Sequence, residues 1–242
     1  YDLFKDQGWL DYSGIDGTPG TMDEFFDLLD RIVEANMIPF TYKNGDYWAG
    51  ISSAYLAQYE GTESAALNYT YKGEYTFRNL PQSTLDVFTD EFCAENGITN
   101  NNDGTYTVTI TPSNAWLLAY QSGKDSYIKF MRNVIDPEYY DNNRYLQSYD
   151  YLMAQTTFVL SKLGKKNQKR IAMIVEGEWW ENEARANFNY TGGYGTRDFR
   201  FMIMPKMEGQ YDNSVQYIGG ADIATDMVVN AKTDKIELCK LW

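Results

Sequence analysis

The chain has 242 residues, a formal net charge of −13 and no histidine. That charge, with no cluster of Lys or Arg interleaved with aromatics, argues against nucleic acid or an anionic membrane surface as partner, and the missing imidazole removes His-based triads and every His-containing metal site. Aromatic residues make up 16% of the chain, including 21 Tyr and 6 Trp, and supply flat apolar faces with polar edges that suit sugar rings and protein interfaces alike.

The length fits one large domain or two smaller ones, either with a sizeable core. No run approaches the roughly 20 apolar residues of a membrane span, so none is expected. The first residues, Tyr-Asp-Leu-Phe-Lys-Asp, do not read as a secretory signal. Cys93 and Cys239 lie far apart in sequence and both sit at apolar positions of helical patterns, so their pairing is left open.

Residues 1–16 carry apolar side chains without a long period and read as a crossing segment followed by a loop rich in Gly14, Gly17, Pro19 and Gly20. Thr21 with Glu24 forms a capping box, and Phe25, Phe26, Leu28, Leu29, Ile32 and Val33 follow at helical spacing. Asp23, Glu24 and Asp27 lie in the first turns of this helix, where its dipole favours negative charge. Ile38–Thr41 reads as a short strand, and 42–47, with Asn44-Gly45, as a turn into a helix from Trp48 towards Tyr59. Tyr42, Tyr47 and Trp48 therefore stand near a strand's carboxyl end as second-rank ligand contacts.

The spacing predicts a helix over 83–96, capped by Ser83, with Phe88, Phe92 and Cys93 on one face and Gly97 as its stop. Asn102-Asp103-Gly104 signals a hairpin, and Tyr106, Val108 and Ile110 alternate with Thr105, Thr107, Thr109 and Thr111 as a half-exposed strand at a sheet edge. Residues 112–134 are helical in pattern, with a break at Ser122-Gly123 and a stop at Asp136-Pro137. A further helix over about 144–163 carries Leu146, Tyr149, Leu152, Met153 and Thr156, and the basic run 162–170 reads as a solvated connector.

The apolar run 171–175 lacks polar alternation and reads as a strand buried on both faces, ended by Gly177. In an open α/β sheet, ligands bind beyond the carboxyl ends of strands, which is where Glu178, Trp179 and Trp180 fall. Adjacent side chains diverge, so one tryptophan of the pair is expected to pack inward; Trp179 is the preferred stacking residue and Trp180 the second. Residues 181–189 look helical and polar, and the glycine-rich loop 191–195 presents Tyr194 as another candidate contact. Residues 199–204 form an apolar strand closed by Pro205, 221–230 an extended stretch after Gly219-Gly220, and Thr233 caps a last helix bearing Ile236, Cys239 and Trp242. Strands alternating with helices make this an α/β protein.

The order of several short features resembles the extracellular solute-binding proteins of ABC importers, family 1, the maltose-binding-protein-like carbohydrate group. They are Pro19, Thr21, Glu24 and Phe25 at the first helix start, Ile38-Pro39-Phe40, the Asp103-Gly104 hairpin before a helix, and Phe158 to Gly164-Lys165. Ala172-Met173 to Gly177-x-Trp179, the 199–205 segment and Gly219-Gly220 complete the series. Two places depart from the pattern: Met22 stands where the family has Trp, and residues 166–170 lengthen a loop that the family lacks.

The resemblance implies a type II periplasmic-binding-protein-like lobe, a mixed sheet flanked by helices. It places 1–242 mainly in the second lobe, with crossing segments near 1–16 and 218–230, and most of the first lobe, with any signal or lipid site, outside the sequence. It further implies a monomeric, non-catalytic receptor, extracellular as a cell-surface lipoprotein or periplasmic, that presents an oligosaccharide to the transmembrane subunits of a permease. No cofactor or metal is expected. Two rivals stand beside it. A glycoside hydrolase is suggested by the crowding of Glu176, Glu178, Glu181 and Glu183, and a cell-surface adhesin or structural module by aromatics that suit protein contact.

Overall fold

The computed structural model describes residues 1–42, 55–125, 127, 128, 150–164, 168–177, 179–203, 205–207 and 209. Within them the architecture is mixed α/β, with one parallel strand pair and one three-stranded antiparallel sheet. None of the described helices is long and apolar enough to cross a membrane.

The chain opens with a helix, α1 (Asp2–Gln7), where the sequence suggests an irregular crossing; Gly8 ends it at φ 70°, a left-handed conformation that glycine takes without strain. Trp9 then turns inward, edge-on to Phe4 at 5.4 Å, and packs with Leu28 and Ile32. Those two belong to α2 (Met22–Glu34), whose capping box forms as predicted. The Thr21 hydroxyl accepts from Glu24 N at 3.3 Å and the Glu24 carboxylate accepts from Thr21 N at 3.3 Å. Glu24 also gathers Gly20 N at 2.7 Å and the Ser13 hydroxyl at 2.7 Å, which ties the preceding loop to the helix start. One face of α2 buries Phe25, Leu28, Leu29 and Ile32, each stabilising by roughly 2 kcal/mol relative to exposure.

That face lies against β1 (Ile38–Thr41), which pairs in parallel with β5 (Ile171–Ile174), Ile38 opposite Ile171 and Phe40 opposite Met173. A parallel pair needs a long crossover, and here the chain uses it to build the second sheet. The expectation that β5 is buried on both faces holds only in part. Ile171 is fully buried but Ala172, Met173 and Ile174 are half-covered, because among the described residues β5 has a strand neighbour on one side.

The antiparallel sheet has the order β2 (Gly73–Phe77), β4 (Tyr106–Ile110), β3 (Ile98–Asn100). β4 is thus the centre of the sheet and not an edge. Its alternation is real, with Val108 and Ile110 inward, but the threonine face pairs across the strands, as Thr76 with Thr107 at 3.3 Å. The helix before β2, α3 (Thr62–Thr70), gives no strong period, while β2 alternates, with Tyr75 and Phe77 inward and Glu74 and Thr76 outward, over a run too short to stand out.

The helix expected over 83–96 is divided into α4 (Gln82–Leu85) and α5 (Asp90–Asn96). Thr89 accepts from Phe92 N at 3.2 Å and starts a new helix, a local side-chain bond that competes with continuing the old one. Gly97 does end α5, at φ 65°. The 112–134 pattern yields a 3₁₀ segment, Ala115–Tyr120, and the break falls at buried Gln121, one residue before Ser122. Gln121 accepts from Asn68 Nδ2 at 2.9 Å and donates to Ser64 O at 3.3 Å, satisfying an amide that burial would otherwise penalise.

Helix α6 (Tyr151–Ser161) starts at Asp150, whose carboxylate accepts from Met153 N at 2.9 Å. Its inner face is Ala154, Gln155, Phe158 and Val159, while Leu152 and Met153 are exposed. The segment is apolar around most of its circumference, so period alone does not choose a face. Residues 199–203 carry no strand; the one bridge nearby links Thr21 to Lys206. The expected features at 43–54, 129–149 and 210–242, the last strand and helix among them, lie outside the described residues.

Candidate functional site

The carboxyl end of β5 runs through Val175 and Glu176 to Gly177 and then into α7 (Trp180–Glu183). A Cβ added at Gly177 would stand 2.3 Å from Trp179 Cη2, with Cζ2 at 2.4 Å and Cζ3 at 2.5 Å. The outer ring of Trp179 therefore lies directly on the Gly177 backbone, a fit that requires glycine there. The ring remains 46% exposed, a large apolar surface held beside the strand end.

Trp180 points the opposite way. It is 4% exposed and packs edge-on to Phe199 at 4.9 Å and to Phe158 at 5.4 Å, with Phe188 at 5.9 Å. The sequence-level candidacy of Trp180 as a ligand contact is corrected here: its ring belongs to the core beneath the site. Tyr42 is corrected in the same way, being 2% exposed, tilted against Phe40 at 5.8 Å, within the cluster that holds Phe25 and Leu29. The strand end on which it sits delivers it inward.

Tyr194 is exposed. Its hydroxyl donates to Asn182 Oδ1 at 3.2 Å, the Arg185 guanidinium lies 4.9 Å from its ring centre, and its edge rests on Phe188 at 5.8 Å. These contacts attach the glycine-rich loop to α7, so Tyr194 and Trp179 are presented by one segment. Tyr47, Trp48 and Glu178 lie outside the described residues.

One residue of the site was missed at sequence level. Gln155 of α6 is fully buried, and its Nε2 donates to Glu176 Oε1 at 3.0 Å and to Glu183 Oε2 at 2.8 Å. Glu176 also accepts from Gly177 N at 3.1 Å. The amide thus fastens the strand end to α7 and fixes the turn on which Trp179 sits. A glutamine inside the apolar run Tyr-Leu-Met-Ala-Gln-Thr-Thr-Phe-Val-Leu was the available signal, since a polar group buried there needs partners.

Glu181 faces Arg197 and Asp198, and burial pushes its carboxyl above the usual range. Among the described residues no group of three or more Cys, Asp or Glu side chains is arranged to hold a metal ion. Compared with protein-family models, curated proteins and solved structures, the chain matches none.

Proposed function

We propose that the chain is the ligand-binding part of a non-catalytic solute receptor for an ABC importer, a type II periplasmic-binding-protein-like lobe that takes a carbohydrate against Trp179. The observation that carries this reading is the pair of opposed tryptophans at one strand end, Trp180 in the core and Trp179 flat on Gly177 with an open ring. An indole held in this way meets the C–H face of a pyranose, and covering about half of it contributes on the order of 2 kcal/mol. Tyr194 and Asn182 stand on the same segment to meet hydroxyls. The receptor would act as an extracellular monomer, closing two lobes about the crossing segments and offering the closed form to the permease subunits.

Calorimetry of the full-length, two-lobed protein against a panel of oligosaccharides tests the reading. A bound sugar should lose affinity by about 30-fold in Trp179→Ala, the equivalent of about 2 kcal/mol; no heat with any sugar, or unchanged affinity in the variant, refutes it.

The hydrolase alternative has one observation in its favour. Glu176 and Glu183 accept from the same nitrogen, so their oxygens lie within about 6 Å of each other, in the range of a glycosidase pair. Against it, the Gln155 amide occupies the gap where a glycosidic oxygen would have to enter. Incubation of the same sugars and chromatography of the products separates a binder, which returns them intact, from an enzyme.

A further inference from the structure

At the amino end of β5, opposite Trp179, Lys162, Arg170 and Arg197 line a cavity of about 90 Å³ whose apolar walls include Leu3, Phe158 and Phe199. Arg197 lies over both phenylalanine rings, 4.8 Å from the centre of Phe199 and 5.6 Å from that of Phe158. The two ring centres are 5.9 Å apart and cover the guanidinium from one side, while its donors lie in the plane of the fork. One hydrogen bond engages them among the described residues, NH1 to Val159 O at 3.5 Å, the outer limit for such a bond. Arg170 Nε is buried and has no hydrogen-bond partner among the described residues.

The nearby carboxylates do not compensate this pair. Asp198, which lines the cavity, is taken by Arg200 at 3.2 Å. Glu181 faces Arg197 and Asp6 faces Arg170, yet neither forms an ion pair with them among the described residues. Asp2 lines the wall from the first turn of α1. Burial, followed by the like charge of Arg170, pushes the Arg197 guanidinium down to about 10. Two partly desolvated guanidinium groups lining one small space are costly unless an anion enters.

We propose that this cavity binds a small tetrahedral oxyanion of the phosphate or sulfate class, held by Arg170 and Arg197 with exposed Lys162 beside them. Guanidinium forks match two oxygens of such a group at once, and charge-assisted bonds of this kind are strongest where water is excluded. The volume exceeds what one water needs several-fold and accommodates one oxyanion. In a chain of net charge −13 the site is a local inversion of sign, which favours binding through close contacts over long-range attraction.

Titration calorimetry of the whole chain with sodium phosphate and sodium sulfate, against sodium chloride at matched ionic strength, tests the proposal. Saturable heat is expected with the oxyanions and none with chloride. Affinity should fall at least tenfold in Arg197→Met and about threefold in the surface variant Lys162→Met. Equal response to chloride overturns the site, as does parental affinity in Arg197→Met. If Arg197→Met fails to fold by circular dichroism, unchanged affinity in Lys162→Met overturns it instead. A sugar phosphate in a further arm distinguishes sources, since tighter binding than inorganic phosphate assigns the oxyanion to a larger ligand and equal or weaker binding to the free ion. No step depends on Trp179, so the outcome is separate from that of the receptor reading.

Discussion

The antiparallel sheet and the parallel pair solve the same problem by different routes. β2, β3 and β4 all come from residues 73–110, and their inner faces close over a single cluster in which Tyr75, Phe77, Phe88, Val108, Ile110 and Leu117 are buried. β1 and β5 come from opposite ends of the described chain, Ile38 beside Ile171, and the residues around them divide among separate clusters. The nearby strands need little loop closure, whereas the parallel pair is rewarded only after the intervening chain has been ordered. The difference teaches where to expect rigidity and where function: the local sheet closes over its own core cluster, and the long-range pair leaves a strand end open beside Trp179.

The comparison breaks most sharply at the rings. Phe77 is fully buried, edge-on to Tyr75 at 4.7 Å and to Phe88 at 5.1 Å, so Phe77→Ala should cost about 3–5 kcal/mol. Ile171→Ala should cost about 2–4 kcal/mol, since a smaller side chain leaves a smaller void at a strand with one described neighbour. Denaturant melts give the totals, and hydrogen exchange should show the first loss concentrated in β2 and β4 and the second around β5. Protection lost equally throughout would mean that the two regions form one cooperative unit.

Alkali offers a milder contrast. Tyr75 is buried beside Glu60, its hydroxyl donating to the Glu60 carboxylate at 2.7 Å, and burial followed by that negative charge drives its phenol far above the ordinary value. Tyr12, partly exposed, donates to Asp27 and is pushed up to about 12, by burial first and then by that hydrogen bond. A raised folded-state value means the protonated form stabilises the fold below the unfolded value near 10, and that this contribution disappears as pH rises towards and through the folded value. Phenolate absorbance should therefore show Tyr12 ionising from the native state near pH 12, and Tyr75 ionising only with unfolding. Ionisation of both in a single reversible native transition near pH 10 would contradict the packing around them.

The smallest effect sharpens the comparison at its hinge. Thr21→Ala removes one half of the capping box and should cost about 1 kcal/mol, measured as a lowered denaturant midpoint with an unchanged slope. Because α2 rests on β1, the loss should appear in exchange of the parallel pair and leave the antiparallel sheet at parental protection.

Much of the local structure was legible. The capping box at Thr21 and Glu24, β1 and β4 followed from neighbouring residues, since capping and alternation are short-range effects. α3 escaped because its side chains give no clean period, β2 because its alternating run is short, and the inner face of α6 because apolar residues surround the helix. At the candidate site, Gly177 and the tryptophan pair could be singled out from the chain; Gln155 showed only as a polar residue in an apolar run, since its two carboxylate partners lie elsewhere in sequence.

By itself, then, the sequence determined the period of α2, the turn at Asn102-Asp103-Gly104, the absence of imidazole chemistry and the divergence of Trp179 from Trp180. The tertiary structure decided that β4 lies at the centre of its sheet, that Tyr42 faces the core, and that Arg170 and Arg197 share a cavity. The physical reason is range. Backbone propensity and capping act within a few residues, whereas burial, pairing and the meeting of charges depend on surfaces that only the folded chain brings together.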